Sequence, residues 1–257
     1  MTKRLISTIV AGILVLAASA GSAQEPTARS AAQSRADIEQ IVSEYILQHP
    51  EVLLESVRRL QERERAAQQQ RSKEAVLARQ ADLLQDPTSP AAGPAAGIAS
   101  DGAVIVFFFD YQCPHSQQAA RTVMKLLSEN PKVRVVFKEF PILGPESELA
   151  AKAALAAHNQ GAYLRFHEAL MATTEPITLA TIEQLGSRLG LDLPKLKADA
   201  ESPEIRGIIE RNYQLARALA VNSAPTFVVG SELVLGAVDA ATLQALIAKA
   251  QGQQPRR

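Results

Sequence analysis

The spacing of apolar residues changes along this chain, and each change marks a different kind of element. Leu5 to Leu16 is almost wholly apolar behind Lys3 and Arg4, and small residues close the run at Gly21-Ser22-Ala23. That layout is expected of a secretory signal peptide, residues 1–23, cleaved after Ala23, because the apolar run falls short of the about 20 residues a membrane span needs. Ile38, Ile41, Val42, Tyr45 and Ile46 then recur at helical spacing from Asp37, and His49-Pro50 breaks the run. Pro50 opens a second helix carrying Val52, Leu53, Val57 and Leu60, extending to about Leu84. Between Arg58 and Ala75 the large apolar residues reduce to Leu60, so this part reads as a solvated helical spacer. Asp86-Pro-Thr-Ser-Pro-Ala-Ala-Gly-Pro-Ala-Ala-Gly has no period and reads as an extended linker or loop.

Beyond the linker the pattern is that of a compact domain. Val104-Ile-Val-Phe-Phe-Phe is unbroken and suits a strand buried on both faces, followed at once by a helix with Pro114 in its first turn and Val123, Met124 and Leu127 on one side. Asn130-Pro131 turns the chain into a second buried strand, Val133 to Phe137, and Lys138-Glu-Phe-Pro leaves the sheet. Helices follow over Glu146 to Gln160, Ala162 to Ala172, Thr178 to Leu189 and from the cap-then-proline pair Ser202-Pro203 to about Leu219. Thr226 to Val229 and Leu233 to Leu235 form a hairpin across Gly230-Ser231-Glu232, and Asp239 caps a last helix carrying Leu243, Leu246 and Ile247. The order strand, helix, strand, helices, strand, strand, helix is an α/β domain in which Val104–Phe109 and Val133–Phe137 neighbour each other.

Composition narrows the chemistry. Lys plus Arg and Asp plus Glu both number 27, so the net charge is zero, and no basic patch with interleaved aromatics points to nucleic acid. One cysteine and four scattered histidines (His49, His115, His158, His167) give no metal-ligand spacing, so neither metal nor resident cofactor is expected. His158 and His167 read as surface or satisfied core residues. Cys113 stands apart. It lies where the first strand ends and the helix begins, and there the free N–H groups and the positive end of the helix dipole favour a thiolate.

Phe108-Phe-Asp-Tyr-Gln-Cys-Pro-His resembles the active-site segment of the DsbA-like thioredoxin-fold oxidoreductases, in particular the branch that includes ScsC. The resemblance implies a thioredoxin fold with an inserted helical block, about residues 146–219, and it reaches the amino-terminal stretch Ile-Val-x-Glu-Tyr-Ile-Leu-x-x-Pro-Glu-Val-Leu, which is similar to the segment that assembles ScsC-type relatives. The organisation it implies is an N-terminal helical oligomerisation segment over residues 24–86, with self-association through residues 37–60, a linker over 87–102 and the catalytic domain over 103–252; docking of that hairpin on its own catalytic domain is the alternative. It places a cis-proline loop at Ala224-Pro225-Thr226, facing Cys113 and binding substrate, and a catalytic motif of Cys113, Pro114, His115 and Ser116. Deleting residues 24–92 is then expected to leave a folded monomer.

The departures from the family pattern bear on mechanism. Ser116 stands where the second cysteine belongs, Phe107 where a buried glutamate often lies, and Ala224 where threonine or valine more often precedes the proline. Without a second thiol, resolution needs an external thiol or redox partner, with glutathione a candidate co-substrate. The expected activity is that of a monothiol, periplasmic thiol:disulfide oxidoreductase or isomerase acting on cysteine-containing exported proteins, with no membrane attachment once the signal is removed. Two other readings stay open: a thioredoxin-fold protein that binds peptides as a chaperone with little turnover, and an engineered Cys-to-Ser change made to trap intermediates.

Overall fold

The computed structural model describes residues 28–93 and 103–252, with side chains from residue 34, so the expected signal peptide and the linker from residue 94 to 102 lie outside the described residues. Two compact units divide the chain, residues 1–62 and 63–257.

In the first unit, helix α1 (Ala28–Gln48) ends where His49-Pro50 interrupts it, and helix α2 (Glu51–Ala78) starts with Glu51 in its first turn. Glu55 sits below the usual carboxylate range through hydrogen bonds from Arg59 and Arg58 along the exposed face of α2. Ile38, Ile41, Val42, Tyr45, Val52, Leu53, Val57 and Leu60 remain between 39% and 66% exposed.

The second unit is built on a five-stranded sheet. Its strands are β1 (Ala91–Ala92), β2 (Ala103–Phe109), β3 (Val133–Glu139), β4 (Thr226–Val229) and β5 (Glu232–Leu235), in the order β1-β3-β2-β4-β5. β2 and β3 are parallel with Val104 opposite Arg134, while β1 with β3, β2 with β4 and β4 with β5 are antiparallel. Every residue of β2 is buried, and alternate side chains enter different cores. Ile105, Phe107 and Phe109 join Phe137 and Phe227 on one face. Val104, Val106 and Phe108 join Val136 and Val228 on the other.

The first face is covered by α4 (Pro114–Glu129), α5 (Pro145–His158), α6 (Tyr163–Ala172), α7 (Leu179–Arg188), α8 (Leu193–Ala200) and α10 (Ala240–Gly252), and receives Ile205 and Ile209 from α9 (Pro203–Ala218). The buried stripe of α4 is Ala119, Ala120, Val123 and Leu126, while Met124 and Leu127 of the expected stripe are half-buried. Helix α8 was not visible in the apolar spacing, yet its start is well marked: Asp192 accepts from the Lys195 N–H at 2.9 Å and Pro194 stands in the first turn.

The opposite face carries the larger departure from expectation. Val76 at the end of α2 and Leu83 in the short helix α3 (Gln80–Leu84) are 0% and 1% exposed and pack with Leu215, Ala216 and Leu219 at the far end of α9. After α3 the chain is tied down by Lys138, 1% exposed, whose ammonium donates to the Asp82 carbonyl (2.9 Å), Asp86 Oδ2 (3.0 Å) and Ser89 Oγ (2.8 Å). Against its burial penalty, hydrogen bonds from Thr88 and Lys138 hold Asp86 far below the usual carboxylate range. The start of the stretch expected to be a linker thus serves the sheet, with Ala91 and Ala92 pairing to Val136 and Val135. Gly93 follows at φ +94°, and a Cβ there would collide with the Val133 carbonyl oxygen. Residues of the expected helical segment and of the start of the expected linker thus pack on, hydrogen-bond to and pair with the sheet, contacts that a chain lacking residues 24–92 would have to fold without.

Candidate active site

β2 ends at Phe109, and four residues later Pro114 begins α4, so Cys113 is the residue that caps the helix. Its backbone is extended (φ −81°, ψ 116°), its N–H donates to the Asp110 carbonyl at 3.1 Å, and its own carbonyl accepts from Gln117 N–H at 3.0 Å. Because β2 pairs with β4, the loop before β4 is brought over this junction. The Cys113 thiol donates to the Ala224 carbonyl at 3.3 Å, the Ala224–Pro225 peptide is cis, and the sulfur's residue is 8% exposed. Pro225 O accepts from Gly236 N–H at 2.8 Å, and buried Thr226 pairs with Phe108 and donates its hydroxyl to Ser223 O at 2.7 Å. Cys113, Ala224, Pro225 and Thr226 therefore lie together.

The other motif residues are placed differently. Pro114 and His115 are exposed. Ser116 is 0% exposed, and its Oγ accepts from the Asp110 N–H at 3.3 Å. Among the described residues no hydrogen bond joins Cys113 to His115 or Ser116. The hydroxyl thus braces the turn rather than the sulfur.

Asp110, which the sequence reading left unassigned, organises this turn. Oδ1 accepts from Gln112 N–H (2.8 Å) and the Ser147 hydroxyl (2.7 Å), and Oδ2 accepts from Leu143 N–H (3.0 Å), so one buried carboxylate ties the Cys113 turn to the loop after β3 and to α5. An aspartate closing a strand two residues before the N–H it captures is the available sequence signal, an Asx-turn. The loop it holds presents Ile142 and Leu143, 38% and 53% exposed, beside exposed Gln112.

A second polar cluster lies beneath. Glu139, the last residue of β3, is 1% exposed, and its Oε1 accepts from the hydroxyls of Tyr163 (2.7 Å) and Tyr111 (3.1 Å), while the Tyr111 oxygen also meets His167 Nδ1 at 3.0 Å. Burial pushes Glu139 up to about 8, against the two tyrosine hydrogen bonds and with help from the Asp110 charge. Burial brings His167 down to about 3 and, with Glu139 nearby, raises both tyrosines well above their ordinary range. Glu139 read from sequence as the exit from the sheet, and nothing in its local spacing marks it as buried. His167 is core, as one of its two readings had it, but its Nε2 has no partner.

The DSBA-like thioredoxin domain family matches residues 104–248, and the N-terminal domain of copper resistance protein ScsC matches residues 35–67. The chain belongs to the DsbA-like thioredoxin family. Members of this family are thiol-disulfide oxidoreductases. Among solved structures, BcfH of Salmonella enterica Typhimurium is 31% identical with a TM-score of 0.72, covering 88% of this chain and 100% of that one. A thioredoxin-like oxidoreductase from Silicibacter pomeroyi DSS-3 is 37% identical with a TM-score of 0.63, over 67% of this chain and 97% of that one. A stretch of the Na(+)/H(+) antiporter NhaA 3 from Salinispora tropica is 28% identical over 169 residues, 65% of this chain but 26% of the antiporter. The chain thus spans about a quarter of the length of the curated relatives it matches first. Among the described residues of this DsbA-like chain, no helix is long and apolar enough to cross a membrane.

Proposed function

We propose that this protein is an exported, periplasmic thiol-disulfide exchange protein that works through Cys113 alone, by mixed disulfide with protein or glutathione. The observation that carries the reading is the setting of the chain's one cysteine: it caps a helix start, its sulfur rests on the Ala224 carbonyl beside a cis-proline, and a buried hydroxyl occupies the position three residues on. The Cys113 thiolate attacks one sulfur of a substrate disulfide. That S–S bond breaks, a new one forms to Cys113, and the departing thiolate takes its proton from solvent. An external thiolate then attacks the mixed disulfide and returns Cys113 to the thiolate, so the protein ends each cycle neither oxidised nor reduced. Once the sulfur is engaged, the Ala224 carbonyl is released to accept an N–H from an extended substrate peptide, which supports Ala224, Pro225 and Thr226 as the binding loop. Exposed Ile142 and Leu143 supply apolar contact for cysteine-containing exported proteins.

Cys113 stands at the positive end of the α4 dipole, and exposed His115 lies in the same first turn. Self-association through residues 37–60 is supported by the exposed apolar stripe of α1 and α2 and by the match to the ScsC N-terminal domain over residues 35–67. Export is supported by the charged, apolar and small-residue pattern of residues 1–23.

Incubation with oxidised glutathione followed by mass spectrometry tests the reading. The folded protein is expected to gain one glutathione, which persists until dithiothreitol is added and is absent in Cys113→Ala. The low exposure of Cys113 favours a second reading, a peptide-binding protein with an inert thiol. An adduct that forms after denaturation but not on the folded protein would select it.

A further inference from the structure

The buried cluster below the active-site turn has a composition that the exchange chemistry does not use. Its acidic member, Glu139, faces Tyr111 from the turn after β2, whose hydroxyl also meets His167 of α6, Tyr163 from α6 and, through its backbone carbonyl, Asn212 Nδ2 of α9 at 3.0 Å. Asp110 is the charged group that acts on it, and neighbouring Lys138 belongs to the opposite side of the sheet with Asp82, Asp86 and Ser89. Among the hydrogen-bond partners of the Glu139 carboxyl there is no cation. Its Oε2 and His167 Nε2 are buried with no partner. Both hydroxyls donate into Oε1, which leaves Oε2 the carboxyl oxygen without a hydrogen bond, and the Tyr111 oxygen also meets His167 Nδ1.

Tyr111 connects it to the reacting atom. The Tyr111 ring is 1% exposed in the cluster, while its backbone carbonyl accepts from Gln117 Nε2 of α4 at 3.0 Å and its chain neighbours make the Asp110–Cys113 turn. We propose that Glu139 is a positioning residue for exchange at Cys113, its carboxyl holding Tyr111 and thereby the turn that presents the sulfur. The proposal rests on Cys113 being the reacting atom. Ionisation of the carboxyl would place an unpaired charge among Phe109, Phe137 and the two tyrosines, with Asp110 repelling it, and relief comes from water entering and the Tyr111 turn loosening.

The experiment measures the second-order rate of glutathione adduct formation on the full chain, for wild type, Glu139→Gln, Glu139→Ala and Tyr111→Phe, from pH 6 to 9.5. Glutamine reproduces the neutral carboxyl at every pH. The ratio of wild-type to Glu139→Gln rates is expected to fall about threefold as the pH passes about 8, and Tyr111→Phe, which severs the link, to lower the rate and remove that fall when combined with Glu139→Gln. Glu139→Ala should be slow throughout. A purely structural role would move melting temperatures and leave the rate ratio flat with pH, and a flat ratio overturns the proposal. No adduct on wild type, or one that survives Cys113→Ala, overturns the exchange reading and this one with it. Should Glu139→Gln not fold, amide exchange in the wild type decides: Gln112 and Cys113 amides that accelerate above pH 8 beyond base catalysis uphold the loosening, and amides that follow base catalysis alone refute it.

Discussion

Where the domain begins is a question of energy, and the docking of residues 76–92 makes it measurable. A chain starting at residue 93 would lose the Val76 and Leu83 side chains, each worth about 1.5–3 kcal/mol when fully buried. It would also strip Lys138 of its hydrogen-bond partners, Asp82 O, Asp86 and Ser89, and an orphaned buried charge costs about 3–5 kcal/mol. Together these amount to about 6–11 kcal/mol, before the lost pairing of β1, against a total stability of about 5–15 kcal/mol for a domain. A chain starting at residue 63 keeps all of them. Urea denaturation followed by circular dichroism should therefore show a cooperative transition for the chain from 63 and none, or one at much lower urea, for the chain from 93. Equal midpoints would mean that the second core is dispensable and would refute the assignment of residues 76–92 to the domain. Within the intact chain, Asp86→Ala should cost about 3 kcal/mol or more, and Lys138→Met considerably less, because it removes the charge that needs a partner.

Ser116→Cys places a thiol three residues after Cys113, so it should expel glutathione from the Cys113 adduct without added dithiothreitol; an adduct equally long-lived in both proteins would show that the position cannot reach the sulfur. Glutamate at Val42 or Leu53 on the exposed stripe should lower the mass in solution by light scattering if residues 37–60 self-associate, and an unchanged mass would remove that role. Glu139 binds a proton in the folded state between pH 4.5 and about 8, so its contribution falls as pH rises through that window, whereas His167 stays unprotonated when folded down to about pH 3, so its contribution falls as pH drops below 6.5. These two slopes cancel between pH 4.5 and 6.5 and leave losses on the order of 1 kcal/mol per pH unit on either side. Stability from urea midpoints against pH should show that plateau; Glu139→Gln should flatten the alkaline side, and a variant curve parallel to wild type there would refute the assignment.

The strand-to-helix unit around Cys113 was legible because its signals are local: a β-branched and aromatic run buried on both faces, then proline at a helix start. Helix α8 had a local signal as well, Asp192 with Pro194, but few apolar residues to draw attention to it. Val76 and Leu83 were not legible in the same way. Each has an apolar neighbour that stays more exposed, Leu77 beside Val76 and Leu84 beside Leu83, so spacing does not single them out, and the surface that buries them comes from β2 and from α9, far along the chain. Lys138 and Glu139 defeat spacing for a related reason, since both faces of β3 are buried at its carboxyl end and a charged pair there looks like an exit to solvent. Ser116 was read correctly as a replacement, but that its hydroxyl braces Asp110 depends on the turn's geometry and has no trace in the sequence.

The thiol and the carbonyl that covers it are 111 residues apart. A chain that emerges amino end first makes β2, α4 and β3 long before the loop at Ala224 exists, and closing that distance waits on the whole helical block between. For that interval the sulfur has a helix start behind it and nothing in front. In the finished site Cys113 is sheltered by a loop that arrives only with β4, and its cover is thus supplied by the last strands of the chain.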